Sequence, residues 1–222
     1  VIGNACREAG ASLVRVVDGV TAGVQMVNGR ARLNLITPVR AYGALNLALP
    51  GRHQALNATT AIRLLEVLSS TRDFTIGPEA ISIGVEDAIW PARLETIHVS
   101  SVEVLLDGAH NRAGARALAA HVLETYGRRL PLVVGVMRDK ALDQLIAALV
   151  PAASHFVFTA ASTERAATPP ELLAVSTRVA PDVPAVVETR PVRALITAAE
   201  HGTPVVVAGS LYLAGEIRSA RT

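Results

Sequence analysis

The sequence predicts an α/β fold built on a mostly parallel sheet, and three observations carry the prediction. From about residue 99 onward, short apolar runs alternate with amphipathic stretches of helical spacing, the pattern of strands joined by crossover helices. Half of the 222 residues are apolar but only 3% are aromatic. The core must then be filled by Ala, Val, Leu and Ile, the usual content of α/β layers. The chain is also long enough for two small domains, and its first part follows a different pattern, with a hairpin and a long helix.

The opening "VIGNACREAGASLVRV" predicts a helix running into a strand; it lacks an initiator Met, so Val1 is expected to lie inside a longer natural chain. "VQMVNGRARLNLI" (24–36) alternates around Asn28-Gly29, the dipeptide that accepts positive φ at both positions of a tight turn, and predicts a β-hairpin. A strand over "AYGALNLALPG" (41–51) follows, then a helix over "HQALNATTAIRLLEVLSS" (53–70) and a shorter one from Pro78-Glu79 to Gly84. A boundary falls near Glu95 to Ser100. Beyond it, strands are predicted at 102–107, 130–137, 155–160, 184–188 and 203–209, with helices near 112–126, 140–149, 169–180, 191–200 and 211–220.

Charge and composition exclude several classes. The net charge is +2 and the cationic residues are spread along the chain, which disfavours a nucleic-acid or membrane surface. No apolar segment of membrane-spanning length occurs, and the single Cys6 cannot form an internal disulfide, so a cytoplasmic location is expected. There is no Gly-x-Gly-x-x-Gly after the first strand of the alternating region and no Gly-x-x-x-x-Gly-Lys-Ser/Thr anywhere. No Gly-x-Ser-x-Gly is present, and the His and Cys residues lack metal-ligand spacing.

In an open parallel sheet, ligands bind outside the carboxyl ends of the strands, where helix N-termini also point. That rule selects Asp107 to Asn111, then Arg138-Asp139-Lys140, Thr159 to Arg165, Thr189-Arg190, and Gly209-Ser210. Asn111 and Asp139 are candidate helix caps, which would leave His110 and Lys140 facing an anion-favouring opening. Capping is also the commoner role for Asp107 and Ser210 taken singly. Helical spacing puts His53 and Asn57 on one face, ordinarily a solvated one. "IWPARLE" holds the lone Trp90 and an Arg93 suited to phosphate or carboxylate.

Taken in order, "GRHQALNATTAIRLLE", "WPARLE", "LLDGAHNRAGARALAAH", "VVGVMRDKALDQLIAAL", "ERAATPPELL" and "VVVAGSLYLAGEIR" resemble the folylpolyglutamate synthase and dihydrofolate synthase family, relatives of the Mur ligases. The resemblance implies a partial central ATPase domain over 1–98 and a Rossmann-like glutamate-ligase domain over 99–222. It implies an ATP-dependent amide ligase, with Mg2+ as cofactor, that joins L-glutamate to dihydropteroate or folate through an acyl phosphate, and a monomer is expected. Asn57, Arg93 and Asp107 then match the ATP contacts, at the adenine edge, phosphate and ribose in turn. His110 matches the histidine at the reacting phosphate, and Lys140 and Ser210 approach the acyl phosphate or incoming glutamate. The family's phosphate loop, metal ligands and modified lysine have no counterpart in these residues, so this polypeptide alone is expected to be inactive. Arg112 stands where the family usually has Pro, Ala92 where it has Gly, and Ala141 where an acidic residue often follows the lysine. A non-catalytic nucleotide- or folate-binding remnant and a Mur-type ligase of cell-wall precursors are the alternatives.

Overall fold

The computed structural model describes residues 1–71 and 75–221. The chain divides into two compact units, Val1–Ala48 with Arg52–Ala88, and Leu49–Gly51 with Ile89–Thr222.

The first unit opens with helix α1 (Ile2–Glu8), which buries no side chain. The strand expected over "LVRV" does not form: Leu13 and Val14 are about half exposed and the backbone is irregular there. Strands β1 (Thr21–Val27), β2 (Arg30–Ile36) and β3 (Ala41–Pro50) make a sheet in that order. Val27 pairs with Arg30 across Asn28 (φ 50°) and Gly29 (φ 75°), the hairpin that the dipeptide predicts. Period-two alternation sends Ala31, Leu33 and Leu35 inward while Arg30, Arg32 and Asn34 face out. Helices α2 (His53–Thr71) and α3 (Pro78–Glu86) complete the unit, and Ile62 and Ile81 join Leu33, Leu35, Leu45 and Leu47 in one core. A buried polar group is built into this unit. Glu66 accepts from Thr37 Oγ1 at 2.6 Å and Tyr42 Oη at 2.9 Å and pairs with Arg63, while burial and Glu66 push the Tyr42 hydroxyl up to about 12.

The second unit is a six-stranded sheet in the order β4-β5-β9-β6-β7-β8. Its strands are β4 (Glu95–Val99), β5 (Val102–Leu106), β6 (Leu130–Val134), β7 (Ala153–Phe158), β8 (Ala185–Val187) and β9 (Val205–Ala208). Only β4 is antiparallel, paired with β5. Helices α4 (Arg112–Tyr126), α5 (Leu142–Leu149) and α6 (Pro169–Val179) pack with one another, and their apolar faces share one core layer. Helices α7 (Pro191–Ala199) and α8 (Leu211–Ser219) contribute to the other. Because both faces are covered, the strands read as continuous apolar runs; β6 and β9 are buried at every position.

The two units part between Ala88 and Ile89, ahead of the 98/99 boundary read from the sequence. The reason is β4: Glu95 to Val99 forms a full antiparallel ladder with β5 and so belongs to the second sheet. Among the described residues no helix is long and apolar enough to cross a membrane.

Candidate functional site

The carboxyl ends of β5 and β9 meet at a point where the backbones approach closely. Gly209 adopts φ 108°, a conformation essentially reserved for glycine, and its N–H donates to Ala109 O at 2.8 Å. The adjoining Ser210 is 2% exposed and caps α8, its Oγ accepting from Tyr212 N at 3.0 Å and Leu213 N at 3.5 Å. Ser210 therefore sits beside the end of β5, with its acceptor capacity given to the helix start.

Asp107 leaves β5 into this junction and is 6% exposed. Each carboxylate oxygen accepts a backbone N–H, Oδ2 from Leu94 at 3.0 Å and Oδ1 from Ala109 at 2.8 Å. Burial raises its pKa to about 6, although the two N–H groups, Arg93 and His110 all pull it down. The charge of Arg93 and of His110 is thus felt at Asp107, and the three belong to one cluster.

His110 places Nδ1 at 2.8 Å from Gly108 O. A carbonyl only accepts, so Nδ1 carries a proton in this bond, and Nε2 takes no part in it. Asn111 next to it caps α4, accepting from Gly114 N at 2.9 Å. The remaining first-turn N–H groups, at Arg112 and Ala113, are left at the positive end of the helix, which favours an anion.

Arg93 lies in a turn held on three sides. Gly108 N donates to Ala92 O at 2.7 Å, Leu94 N to Asp107, and Ala92 N to Glu95 Oε2 at 2.9 Å. Ala92 and Leu94 take positive φ values of 55° and 52° on either side of Arg93. Glu95 is also engaged by Arg218 of α8, Nε lying 3.0 Å from Oε1 and 3.2 Å from Oε2. Burial works to raise the Glu95 pKa, but the Ala92 N–H and Arg218 outweigh it and hold the carboxyl below its ordinary value. Glu95 stands last in "WPARLE", and only its spacing from Ala92 and Arg93 marked it in the sequence.

Lys140 follows β6, separated from β5 by β9 in the sheet. Its Nζ pairs with Asp139 at 2.8 Å, and Arg165 approaches the same carboxylate at 3.7 Å. Asp139 does not cap α5 as its position suggested. The helix begins at Leu142 behind Ala141, which makes no side-chain cap, because the Asp139 carboxylate is turned toward Lys140 and Arg165. Asn57 lies on α2 of the first unit, exposed, and donates through Nδ2 to Gln54 Oε1 at 2.9 Å.

An α/β domain whose parallel strands end on a buried carboxylate, a histidine, an arginine and two capped helix starts has the chemistry of an anion-favouring site at its carboxyl edge. A family model described as "Dihydrofolate synthetase, C-terminal domain" matches residues 91–220, and the chain belongs to this family. It is similar to the dihydrofolate synthase/folylpolyglutamate synthase of Mycobacterium tuberculosis, 34% identical over 144 residues that make up 64% of this chain and 29% of that protein. It is similar also to the Bacillus subtilis protein of the same description, 32% identical over 123 residues, 54% of this chain and 28% of that one. Among solved structures, the Mycobacterium tuberculosis folylpolyglutamate synthase complexed with ADP matches with a TM-score of 0.86 at 28% identity, covering 98% of this chain and 51% of that one. The chain thus spans about half the length of that relative.

Proposed function

We propose that the chain is the C-terminal portion of a cytoplasmic, monomeric ATP-dependent amide ligase that adds L-glutamate to dihydropteroate, to folylpolyglutamates, or to both. The observation that carries this reading is the cluster of Arg93, Asp107, His110 and Ser210 at one sheet edge, in a family whose Mycobacterium tuberculosis member is seen complexed with ADP. In this reading the first unit is the end of a central ATPase domain, and the second is the glutamate-ligase domain.

Each residue has a chemical part. Arg93 offers two parallel N–H donors to phosphate oxygens. Asp107 keeps a second lone pair on each oxygen for ribose hydroxyls, beyond the two it gives to the backbone. His110 gives its Nδ1–H to Gly108 O, which orients the ring, and in this reading Nε2 meets a phosphate oxygen when that nitrogen also carries a proton. Asn57 suits the adenine edge, and Lys140 and Ser210 suit the acyl phosphate or the carboxylates of incoming glutamate. Magnesium accompanies the nucleotide in this reading. Among the described residues no group of three or more His, Cys, Asp or Glu side chains could hold a metal ion.

The test is phosphate release by the whole enzyme with ATP, magnesium and glutamate, offered first dihydropteroate, then a reduced folate, then a muramyl peptide. Turnover is expected with at least one pteridine substrate. Failure with both refutes the folate assignment, and turnover on the muramyl peptide alone replaces it with a cell-wall ligase. ADP binding without turnover on any acceptor indicates a remnant.

A further inference from the structure

The turn that carries Arg93 is costly in itself. Ala92 and Leu94 are non-glycine residues at positive φ, and strain of that kind is retained only where the surroundings fix it. Leu94 is 2% and Ala92 5% exposed, so the turn is buried as well as strained. Three of its backbone groups are engaged: Ala92 O by Gly108, Leu94 N by Asp107, Ala92 N by Glu95. Arg93 alone makes no hydrogen bond or ion pair within the protein among the described residues. The turn is held by these bonds, and its one cation acts on Asp107 through its charge without being paired in a hydrogen bond.

We propose that Glu95 is a positioning residue, pinned by Arg218 so that its carboxylate locks the N–H of Ala92 and presents the Arg93 guanidinium beside Asp107. The inference rests on the reading of Arg93 as a nucleotide contact. Glu95 does more than form a surface ion pair. Its side chain is 21% exposed, Arg218 spans both of its oxygens, and Arg221 adds a second cation at 3.9 Å. Arg218 lies in the last turn of α8, the helix that Ser210 caps at its start. Glu95 consequently ties the Arg93 turn to the same helix that sets Ser210. Two parts of the candidate site are held in one frame by a residue that faces no ligand.

The experiment uses the whole enzyme that carries this chain, with three variants, Glu95→Ala, Glu95→Gln and Arg218→Lys. Amide exchange at Ala92 and Leu94, relaxation of the Arg93 Nε–H, and ADP affinity by titration are measured for each. In Glu95→Ala, exchange at the two amides is expected to accelerate and Arg93 to become mobile. ADP is expected to bind roughly ten- to hundredfold more weakly, the range for losing one charged hydrogen bond. Glu95→Gln, which keeps an oxygen for Ala92 N–H but no charge for Arg218, is expected to fall between, and Arg218→Lys to restore most of the order. Unchanged exchange and Arg93 dynamics in Glu95→Ala overturn the proposal, as does a loosened turn with ADP affinity intact. A uniform loss of protection across the whole sheet, with Arg93 no more affected than β6, reduces Glu95 to a structural residue and overturns it too. If the Arg93 resonance of the wild-type chain does not respond to ADP, the nucleotide reading of Arg93 falls and takes the proposal with it. That result is distinct from failure in the variants.

Discussion

Substituting Gly209 by Ala tests how closely the end of β9 approaches the end of β6. A Cβ at this position would stand 2.6 Å from Gly135 O, 3.0 Å from Gly135 C and 3.0 Å from Val136 Cγ2, at a φ of 108°. Two of those atoms are backbone in a fully buried strand end and cannot swing aside. The conformational term is on the order of 1–3 kcal/mol, and the overlap adds about 1–3 kcal/mol more. For a chain of this length each kcal/mol moves the melting temperature by about 2–4 °C, so a fall of roughly 10 °C is expected. The assay is thermal unfolding followed by circular dichroism, with Gly215→Ala as the paired control. Gly215 lies in α8 with nothing within 4 Å of its added methyl, so that variant should gain about 0.5–1 kcal/mol from helix propensity and reduced freedom of the unfolded chain. A Gly209→Ala protein that melts within about 2 °C of wild type refutes the claim that this junction is closed by backbone contact.

Three further outcomes are expected. The Asp107 carboxyl, raised from 3.8 to about 6, keeps its proton to a higher pH in the native state than in the unfolded chain. Its contribution to stability is complete below about pH 3.8 and is lost as pH rises through about 6, and a carboxyl 13C titration midpoint at an ordinary aspartate value would rule this out. Burial and then His201, stacked at 3.8 Å, lower the His155 pKa, and its Nδ1 is buried without a partner. The native state thus disfavours the charged ring, so stability is complete above about pH 6.5 and falls as pH drops below it. Denaturant midpoints at pH 7.5 and 5.5 should converge in His155→Leu, and an equal drop in that variant contradicts the assignment. Asn111→Ala should cost about 1 kcal/mol by removing the α4 cap, measured by urea unfolding, with a change below a few tenths counting against it.

What the sequence made legible were the elements with local punctuation. Helix α4 runs over the predicted 112–126 because Asn111 caps its start and Gly127, at φ 64°, ends it in the left-handed conformation. The β1–β2 hairpin follows from Asn28-Gly29 in the same way. Strand β4 was illegible for the complementary reason. It turns into β5 through Ser100 and Ser101 at φ 49° and 66°, a geometry normally announced by Asn or Gly, and Val99 pairs with Val102 across it. Nothing local in Ser-Ser predicts that turn, so the segment read as a connector and the boundary moved with it. In the candidate site, residue types and strand ends located Asp107, His110 and Ser210. The sequence could not reveal that both Asp107 oxygens hold backbone, or that Asp139 turns to Lys140 instead of capping, since these depend on partners distant in space or on side-chain rotation. Glu95 needed Arg218, 123 positions away, to acquire a role.

The placement of β9 has a consequence for how the second unit is made. Strand β9, Val205–Ala208, comes last in chain order among the described strands, yet it lies between β5 and β6 and carries the strand pairing that joins the β4–β5 ribbon to the β6–β7–β8 sheet. Until it emerges from the ribosome, two apolar strand edges stay unpaired, and the carboxyl ends of β5 and β6 have no common frame. Closure waits on contacts about 100 residues apart in sequence, which slows folding and leaves the nascent chain open to edge-to-edge association. Any deletion of Val205–Ala208 would therefore break the sheet at its middle and leave β5 and β6 without a pairing partner between them.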